Sequence, residues 1–207
     1  MKRAFDIIIA ASGLLILSPL FLLAAASIKV SSPGPVFFRQ RRVGRGFRPF
    51  SIYKFRTMTH DAQARGPLIT VGSDPRITPV GRFLRKTKFD ELPQLVNVLK
   101  GDMSLVGPRP EIRQYVELFR RDYEEILKIR PGITDLASLK YRDEAAILSK
   151  ACDPENEYRL KVLPEKIRLA KDYIRQSSLL FDLQLVLRTL VKLFAFEKPC
   201  RKNGFTG

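Results

Sequence analysis

Two adjacent carboxylates, Asp90 and Glu91, are the side chains of this sequence best suited to chemistry. Neighbouring residues on a helix point about 100° apart, so the two groups cannot share one proton face to face, as the aspartates of an aspartic protease do. They suit divided labour, in which one carboxylate attacks an electrophile while its neighbour holds a divalent ion. Attack on phosphorus would give an acyl phosphate that a second nucleophile can discharge. With no cluster of histidines or thiolates in the sequence, the natural ion is Mg²⁺, bound through oxygen and bridging phosphates.

Asp90 also has a purely structural interpretation. Aspartate is a preferred helix N-cap, and Asp90 stands where a helix is predicted to begin, with Pro93 in the first turn and Gly101 as the stop. In that role Asp90 would contribute about 1 kcal/mol to stability and nothing to chemistry. The local pattern alone leaves both interpretations open.

Arg109 lies between Pro108 and Pro110, just ahead of another predicted helix. Its planar guanidinium and the first amides of that helix could both face one anion, which favours a phosphate-binding role. The alternative is a surface arginine in a stiff loop.

The charge of the chain points to anionic partners. The net charge is +16, and residues 36–109 carry fifteen Lys and Arg against five Asp and Glu, so the surplus is regional. Nucleic acid, anionic lipid and phosphorylated substrates all fit such a balance. His60 is the single histidine, and Cys152 and Cys200 form no zinc pattern, which argues against a histidine metal cage, a Ser-His-Asp triad and a disulfide scaffold. We expect His60 in a solvated loop and the thiols in a reducing cytosol.

Residues 7–28 contain no charged side chain and, at about 1.5 Å per residue, would form a helix about 33 Å long, enough to cross the hydrocarbon core of a bilayer. A signal peptide is the alternative, although the apolar run exceeds the usual 7–15 residues. Pro19, after Ser18, should break the helix, and both flanks are basic. We therefore predict that the segment bends at Ser18-Pro19 and returns, leaving both flanks in the cytoplasm. A straight, kinked span with a cytoplasmic C-terminal domain is the alternative.

A β-hairpin is predicted over residues 36–43 and 47–56, around Gly44-Arg45-Gly46. Its mixed aromatic and basic residues could clamp single-stranded nucleic acid, or could lie at an anionic bilayer surface.

The rest of the chain is predicted to be mainly helical. Residues 59–80 read as a binding loop or lid. Residues 166–196 form one or two amphipathic helices that either lie on the bilayer or face the core. Further helices are predicted at residues 82–87, 90–101 and 111–129, with partial helix over 135–163.

Several motifs follow one another in a fixed order along the chain. They are 53-YKFRTM-58, 74-DPRIT-78, 90-DELPQL-95, 97-NVLKGDMS-104 with 106-VGPRP-110, and 130-RPGIT-134. With these motifs the sequence resembles the bacterial sugar transferases, and more narrowly the small monotopic phosphoglycosyl transferases that start glycan assembly on polyprenol phosphate. The resemblance covers nearly the whole chain, including the Ser18-Pro19 break and 178-SLLFDL-183.

The resemblance implies a mechanism. In such enzymes the membrane helix is re-entrant, and the Asp of the Asp-Glu pair attacks the β-phosphate of a UDP-sugar. UMP leaves, and polyprenol phosphate collects the phosphosugar from the Asp. By this resemblance Asp90 is the nucleophile, Glu91 helps to hold Mg²⁺, and Arg109 lies in a phosphate-binding motif. Further candidates to neutralise phosphate charge are Lys54, Arg56, Arg76, Arg82 and Arg85.

Two positions depart from the family pattern. Lys88-Phe89 precede the Asp-Glu pair where a small or hydroxyl residue and an aliphatic residue are frequent, and 132-GITDLAS-138 stands where many members continue Gly-Trp-Ala-Gln. The chemistry tolerates such changes, whereas the choice of sugar is open.

Together these observations predict an α+β, mainly helical fold with a re-entrant membrane helix, a small β-hairpin and amphipathic interfacial helices around the active site. Residues 1–35 would form the membrane helix and linker, and residues 36–207 the catalytic domain. The expected protein is a phosphoglycosyl transferase at the cytoplasmic face of a bacterial inner membrane, with UDP-sugar, undecaprenyl phosphate and membrane lipids as partners and no nucleic acid. The rivals are a non-enzymatic basic protein that binds anionic lipid or nucleic acid, and a membrane hydrolase that gives the phosphosugar to water.

Overall fold

The apolar N-terminal segment forms two helices that meet at a bend. In the computed structural model, which describes residues 2–62, 66, 70, 71, 74–142 and 144–194, α1 (Lys2–Ile16) and α2 (Ser18–Ser31) are bent by 60°. Pro19 has no amide hydrogen to donate to the carbonyl of Leu15, and the Ser18 hydroxyl donates to that carbonyl instead, at 2.8 Å. The predicted bend at Ser18-Pro19 is confirmed.

Within the described residues no single helix is long and apolar enough to cross a membrane. The bent pair α1 and α2 meets that requirement together, by length and composition. Large apolar side chains on both helices are mostly exposed, including Leu15, Leu22 and Val30.

The start of α1 is bonded to the rest of the protein through charged side chains. The Lys2 ammonium donates to the carbonyl of Val106 and the hydroxyl of Tyr173, both at 3.0 Å, and pairs with Asp182. Buried Asp6 accepts from the Ser104 hydroxyl at 2.8 Å. The basic residues ahead of the apolar segment therefore serve packing as well as flank charge.

The predicted hairpin is confirmed. Strands β1 (Phe37–Val43) and β2 (Pro49–Phe55) pair antiparallel, with Phe37 opposite Phe55 and Val43 opposite Pro49. Ile52 of β2 is buried in one cluster with residues of α1 and of the helix that follows the two carboxylates. This packing fixes the strand that carries Lys54.

The two carboxylates lie on a short turn between two helices. Helix α3 (Pro79–Thr87) begins three residues before the prediction because the Thr78 hydroxyl caps it, accepting from the amide of Gly81 at 2.9 Å. A 3₁₀ turn (Phe89–Glu91) follows, and α4 (Gln94–Lys100) then ends at Gly101, as predicted. Part of the predicted loop before α3, residues 63–65, 67–69 and 72–73, lies outside the described residues.

The prediction of one helix over residues 111–129 is wrong. The chain forms α5 (Arg113–Leu118) and α6 (Arg120–Ile126), with a break at Phe119. Phe119 packs at the edge of the core cluster that also buries Tyr115 and Tyr123. This is a tertiary contact that the helical sequence pattern does not reveal.

A second sheet, which the sequence analysis missed, joins two distant segments. Strand β3 (Ser104–Val106) pairs in parallel with β4 (Gly132–Thr134). The strands continue into a close approach between Gly107 and Gly132, where a Cβ on Gly132 would lie 2.1 Å from the Gly107 nitrogen. The parallel pair brings the segment that carries Arg109 beside the start of the C-terminal helices.

The C-terminal region is helical. Helix α10 (Leu163–Gln176) packs into the core through Ile167, Ala170 and Tyr173, whereas α11 (Leu179–Phe194) leaves Leu180, Leu187 and Val191 exposed. Helix α10 therefore faces the core, which was one of the two predicted arrangements. Helix α11 instead has an exposed apolar face. The helices are α7 (Leu136–Lys140), α8 (Glu144–Leu148), α9 (Pro154–Glu157), a π-helical turn (Tyr158–Val162), α10 (Leu163–Gln176) and α11 (Leu179–Phe194).

The contact between Gly107 and Gly132 should not tolerate a side chain. We expect Gly132→Ala to reduce the free energy of unfolding by about 3 kcal/mol or more, because the new methyl group would overlap backbone atoms that cannot rotate away. Gly46→Ala is the control, since Gly46 has φ +64° and no atom near its added Cβ, so it should cost roughly 1–2 kcal/mol. Urea denaturation in detergent, followed by circular dichroism, compares the two. Equal losses would contradict the proposed close packing.

Candidate active site

Glu91 lies between two cations that come from different parts of the fold. Its Oε1 accepts from the Lys54 ammonium at 2.9 Å and from Arg109 Nη2 at 2.5 Å, and its Oε2 accepts from Arg109 Nη1 at 3.1 Å. Lys54 is on β2, whereas Arg109 follows β3, so the hairpin and the parallel sheet meet at this carboxylate. The two-pronged arginine pair is the strongest geometry that a carboxylate and a cation can form.

These contacts determine the charge of Glu91. Burial would raise the pKa of Glu91, but Arg109 and Lys54 outweigh it and hold that pKa well below its usual range. The charge of Glu91 raises the pKa of Arg109 in turn. Burial lowers the pKa of Lys54, which Glu91 partly offsets. Glu91 is therefore an anion held in place by two cations.

Asp90 has a different environment from its neighbour. The residue is 8% exposed, and its Oδ1 is buried with no hydrogen-bond partner among the described residues. Burial, and after it the charge of Glu91, raises the pKa of Asp90, while the charges of Lys54, Lys88 and Arg85 oppose the rise. Of the two carboxylates, Asp90 is the one with an oxygen available for another atom.

The capping interpretation of Asp90 is wrong. Helix α4 begins at Gln94, its cap position is Pro93, and no side chain caps it. The residue before the 3₁₀ turn is Lys88, not Asp90. The carboxylate of Asp90 thus has no structural bond in the described part of the chain that would explain its burial.

The turn that carries the carboxylates is fixed at its first residue. Lys88 has φ +60°, in the left-handed region, and its amide bonds to the Arg85 carbonyl while its own carbonyl accepts from the amide of Glu91, both at 3.2 Å. Such a conformation is costly for a residue with a side chain and persists where the surroundings determine it. The turn thereby reverses the chain between α3 and α4 and leaves both carboxylates beside β2.

Two polar residues that the sequence analysis did not single out support the site. Asn97 is fully buried; its Oδ1 accepts from the amide of Tyr53 at 3.0 Å and its Nδ2 donates to the carbonyl of Ser51 at 2.8 Å, which ties α4 to β2. Asp135 accepts from the amides of Arg109, at 3.2 Å, and of Ser138, so it fixes the arginine loop while it caps α7. An asparagine inside an apolar helix and an aspartate directly before a helix were the signals available in the sequence.

The other predicted cations are distributed around the site. Arg85 donates to the Thr57 hydroxyl at 2.8 Å and is among the charges that act on Asp90. Arg82 is exposed on α3. Arg56 is directed at the linker after α2, where it donates to the carbonyls of Ser32 and Pro33, and Arg76 pairs with Asp74 inside its own loop. The structure therefore brings Lys54 and Arg109 to the carboxylates, and Arg85 close to them. It gives the phosphate role of Arg56 and Arg76 no geometric support.

The two carboxylates offer oxygen ligands of the kind that Mg²⁺ binds. No group of three or more His, Cys, Asp or Glu side chains forms a metal cluster among the described residues. Mg²⁺ does not need one, because it commonly binds one or two carboxylates together with substrate phosphates. Asp90 Oδ1 has no partner and Glu91 Oε2 accepts one hydrogen bond, so both retain lone pairs. The donor set fits the ion. His60 is exposed, as predicted, and does not contribute.

Comparison with known proteins gives the family. The chain is 41% identical over 197 residues to a UDP-N-acetylgalactosamine-undecaprenyl-phosphate N-acetylgalactosaminephosphotransferase of Aeromonas hydrophila, covering 92% of this chain and 43% of that protein. It is 39% identical over 198 residues to the UDP-glucose:undecaprenyl-phosphate glucose-1-phosphate transferase of Escherichia coli K12, covering 94% of this chain and 40% of that protein. An uncharacterized sugar transferase of Bacillus subtilis, EpsL, is 36% identical over 206 residues, 100% of this chain and 93% of that protein.

The first two relatives are thus more than twice as long as this chain, whereas EpsL is of similar length. The model of one family, described as bacterial sugar transferase, matches residues 1–196. That match covers the bent helix pair, the hairpin, both carboxylates and Arg109. By this match over nearly its whole length, the chain belongs to the bacterial sugar transferase family.

Proposed function

We propose that this protein transfers a sugar 1-phosphate from a UDP-sugar to undecaprenyl phosphate and releases UMP. The observation that carries the proposal is the contrast between the two adjacent carboxylates: Glu91 is paired with two cations, while Asp90 is buried with an unpartnered oxygen. A carboxylate whose charge is bound by two cations is a weak nucleophile, and of the two only Asp90 has an oxygen without a partner among the described residues. The names of the relatives supply the substrate classes.

The reaction proceeds in two displacements at one phosphorus atom. A carboxylate oxygen of Asp90 attacks the β-phosphorus of the UDP-sugar and forms an O–P bond. The bond from that phosphorus to the bridging oxygen breaks, and the oxygen leaves with UMP. A phosphate oxygen of undecaprenyl phosphate then attacks the same phosphorus, the bond to Asp90 breaks, and the carboxylate is restored. The product is a lipid diphosphate sugar, and the number of phosphoanhydride bonds is unchanged.

The cations beside the carboxylates can neutralise the negative charge of the substrate phosphates. Arg109 uses two of its five N–H groups on Glu91, so others remain for a phosphate oxygen. Lys54 and Arg85 add positive charge that acts on Asp90. When bound at Glu91, Mg²⁺ would neutralise charge on the diphosphate and make its phosphorus more electrophilic. Fixed charges of this kind stabilise a transition state without reorganising as the reaction proceeds.

The membrane arrangement follows from the two substrates. A soluble UDP-sugar must meet a lipid phosphate at a bilayer surface, which a shallowly inserted protein permits. The bent pair α1 and α2 and the exposed apolar side chains of α11 support such insertion. We place residues 1–35 in the membrane as a re-entrant helix and linker, and residues 36–207 at the cytoplasmic face of the bacterial inner membrane.

The two rivals are weaker. A nucleic-acid clamp would use the exposed cations of the hairpin, such as Arg41, Arg45 and Arg48. However, Lys54 and Arg56 are bonded within the protein, and the relatives are named as sugar phosphate transferases. A hydrolase would use the same aspartate and differ in its acceptor. Analysis of products distinguishes a hydrolase from a transferase, since a hydrolase yields free sugar phosphate and a transferase yields lipid-linked sugar.

Asp90→Asn should abolish the reaction. With Mg²⁺, undecaprenyl phosphate and a panel of UDP-sugars, we expect purified wild-type protein in detergent to release UMP, and Asp90→Asn to release it on the order of a thousandfold more slowly or not at all, because an amide is a poor nucleophile. Asp172→Asn, on the exposed side of α10 where Asp172 pairs with Arg168, is the control and should retain full activity. Near-normal release by Asp90→Asn would refute the mechanism.

The pH dependence should report the environment of Asp90. Its attacking form is deprotonated, so the rate of the first turnover should be constant above the pKa of Asp90 and fall as the pH drops through it. Since burial and the charge of Glu91 raise that pKa, the acidic limb should lie above the range of an ordinary aspartate. Glu91→Gln should be slower and should shift the limb to lower pH, because one negative charge beside Asp90 is lost. Rapid-quench measurement of UMP tests this prediction. An acidic limb of Glu91→Gln at the same pH as in the wild type, or at a higher pH, would contradict it.

The re-entrant topology predicts the same side for both ends of the bent pair. The test starts from a protein without its native cysteines (Cys152→Ser, Cys200→Ser). A single cysteine is then introduced at one of two exposed positions, by Ala4→Cys or Ser31→Cys. In spheroplasts, neither cysteine should react with an impermeant maleimide. Both should react after permeabilisation. Labelling of one of them from outside would indicate a straight span.

A further inference from the structure

Helix α4 carries two buried side-chain amides with opposite surroundings. Asn97 is 0% exposed, and both its oxygen and its nitrogen are bonded to the backbone of β2. Gln94, one turn earlier, is 1% exposed, and its Nε2 has no hydrogen-bond partner among the described residues. The two amides have similar chemistry and burial, so the difference lies in what they bond. Asn97 holds the fold together, whereas no bond found in the fold explains Gln94.

A buried amide without a partner is costly. Leaving a donor unsatisfied destabilises a protein by about 1–3 kcal/mol, and an apolar side chain of similar shape avoids that loss. A leucine would fill the position of Gln94 at lower cost. A polar group held at such a cost, on the helix that follows the proposed nucleophile, points to a ligand that bonds it.

The position of Gln94 relative to Asp90 identifies the ligand atom. From the 3₁₀ turn through Leu92 and Pro93 into α4 the backbone bonds join residues three apart, so Gln94 follows Asp90 by a little more than one helical turn. At about 2.0 Å of rise per residue, the two residues are roughly 8 Å apart along the helix axis. Asp90 Oδ1 is itself buried without a partner. Among the described residues, the turn and the helix that follows it thus hold an acceptor and a donor that are both buried, both without a partner and not bonded to each other.

We propose that Gln94 contacts the substrate: its Nε2 donates a hydrogen bond to a non-bridging oxygen of the phosphoryl group that Asp90 attacks. This rests on the proposed function. A phosphoryl group bonded to Asp90 extends about 3 Å beyond that carboxylate, and the long side chain of Gln94 can span the rest of the distance of about 8 Å between the two residues. The donor faces oxygens whose charge develops during transfer, where a fixed donor lowers the barrier. Since the amide is neutral, it needs no counterion, unlike Lys54 and Arg109, which are paired with Glu91.

The test separates function from stability. Gln94→Leu should melt at the same or a higher temperature than wild type in detergent, because it removes an unsatisfied donor. With the UDP-sugar that the wild type consumes fastest, its kcat for UMP release should fall roughly 10- to 100-fold, the effect of losing a hydrogen bond to a charged group, while KM changes little. Gln94→Glu should lose more activity, since a second anion would repel the phosphoryl oxygens.

Two further variants are references. Gln114→Leu, at an exposed position on α5, should match the wild type in both measurements, and Asn97→Leu should melt at a lower temperature because Asn97 bonds the fold. An unchanged kcat in Gln94→Leu would overturn the proposal. So would parallel losses of melting temperature and kcat like those of Asn97→Leu, which would show that Gln94 is satisfied inside the protein. If the wild type releases no UMP, the proposed function fails too; if it does and Gln94→Leu equals it, only this inference fails.

Discussion

The site depends on one half-buried ion pair, in which Arg109 donates two hydrogen bonds to Glu91 and Lys54 donates a third. Removal from water raises the pKa of a carboxylate, and two adjacent carboxylates raise each other's pKa. Arg109 and Lys54 stabilise the negative charge of Glu91, whereas Asp90 keeps an oxygen that bonds to no group in the described part of the chain. The ion pair also joins β2 to the segment after β3. The same interaction therefore sets the geometry of the site and distinguishes the two carboxylates chemically.

The rest of the fold supports that interaction from three sides. Asn97 ties α4 to β2, Asp135 fixes the backbone of Arg109, and the left-handed Lys88 turns the chain into the carboxylates. The N-terminal helix belongs to the same support, because Lys2 bonds to the carbonyl of Val106 at the end of β3 and Asp6 bonds to Ser104 at its start. In our proposal, insertion of α1 and α2 into a bilayer would thus be coupled mechanically to the position of the site.

The sequence predicted those parts of the fold that local rules determine. Pro19 marked the bend, Gly44-Arg45-Gly46 the hairpin, and Gly101 the end of α4. The parallel pair of β3 and β4 was missed because two three-residue strands far apart in sequence leave no periodic signal. The break at Phe119 was missed because packing against the core, rather than a glycine or proline, interrupts the helix.

Within the site, residue types indicated Asp90, Glu91 and Arg109, but not which groups pair. The spacing of residues in the sequence does not determine side-chain positions. Three features of the site depend on those positions: Arg109 pairs with Glu91, Arg56 bonds to the linker after α2, and the amide of Gln94 has no partner among the described residues. The division of labour between the two carboxylates became specific only when Glu91 was seen to be paired and Asp90 was not.

The most direct measurement is peptide mapping by mass spectrometry after incubation with a UDP-sugar in the absence of undecaprenyl phosphate. We expect a phosphosugar on the peptide that contains Asp90, and its disappearance when undecaprenyl phosphate is added. UMP release with no covalent adduct, or an adduct on Glu91, would contradict it.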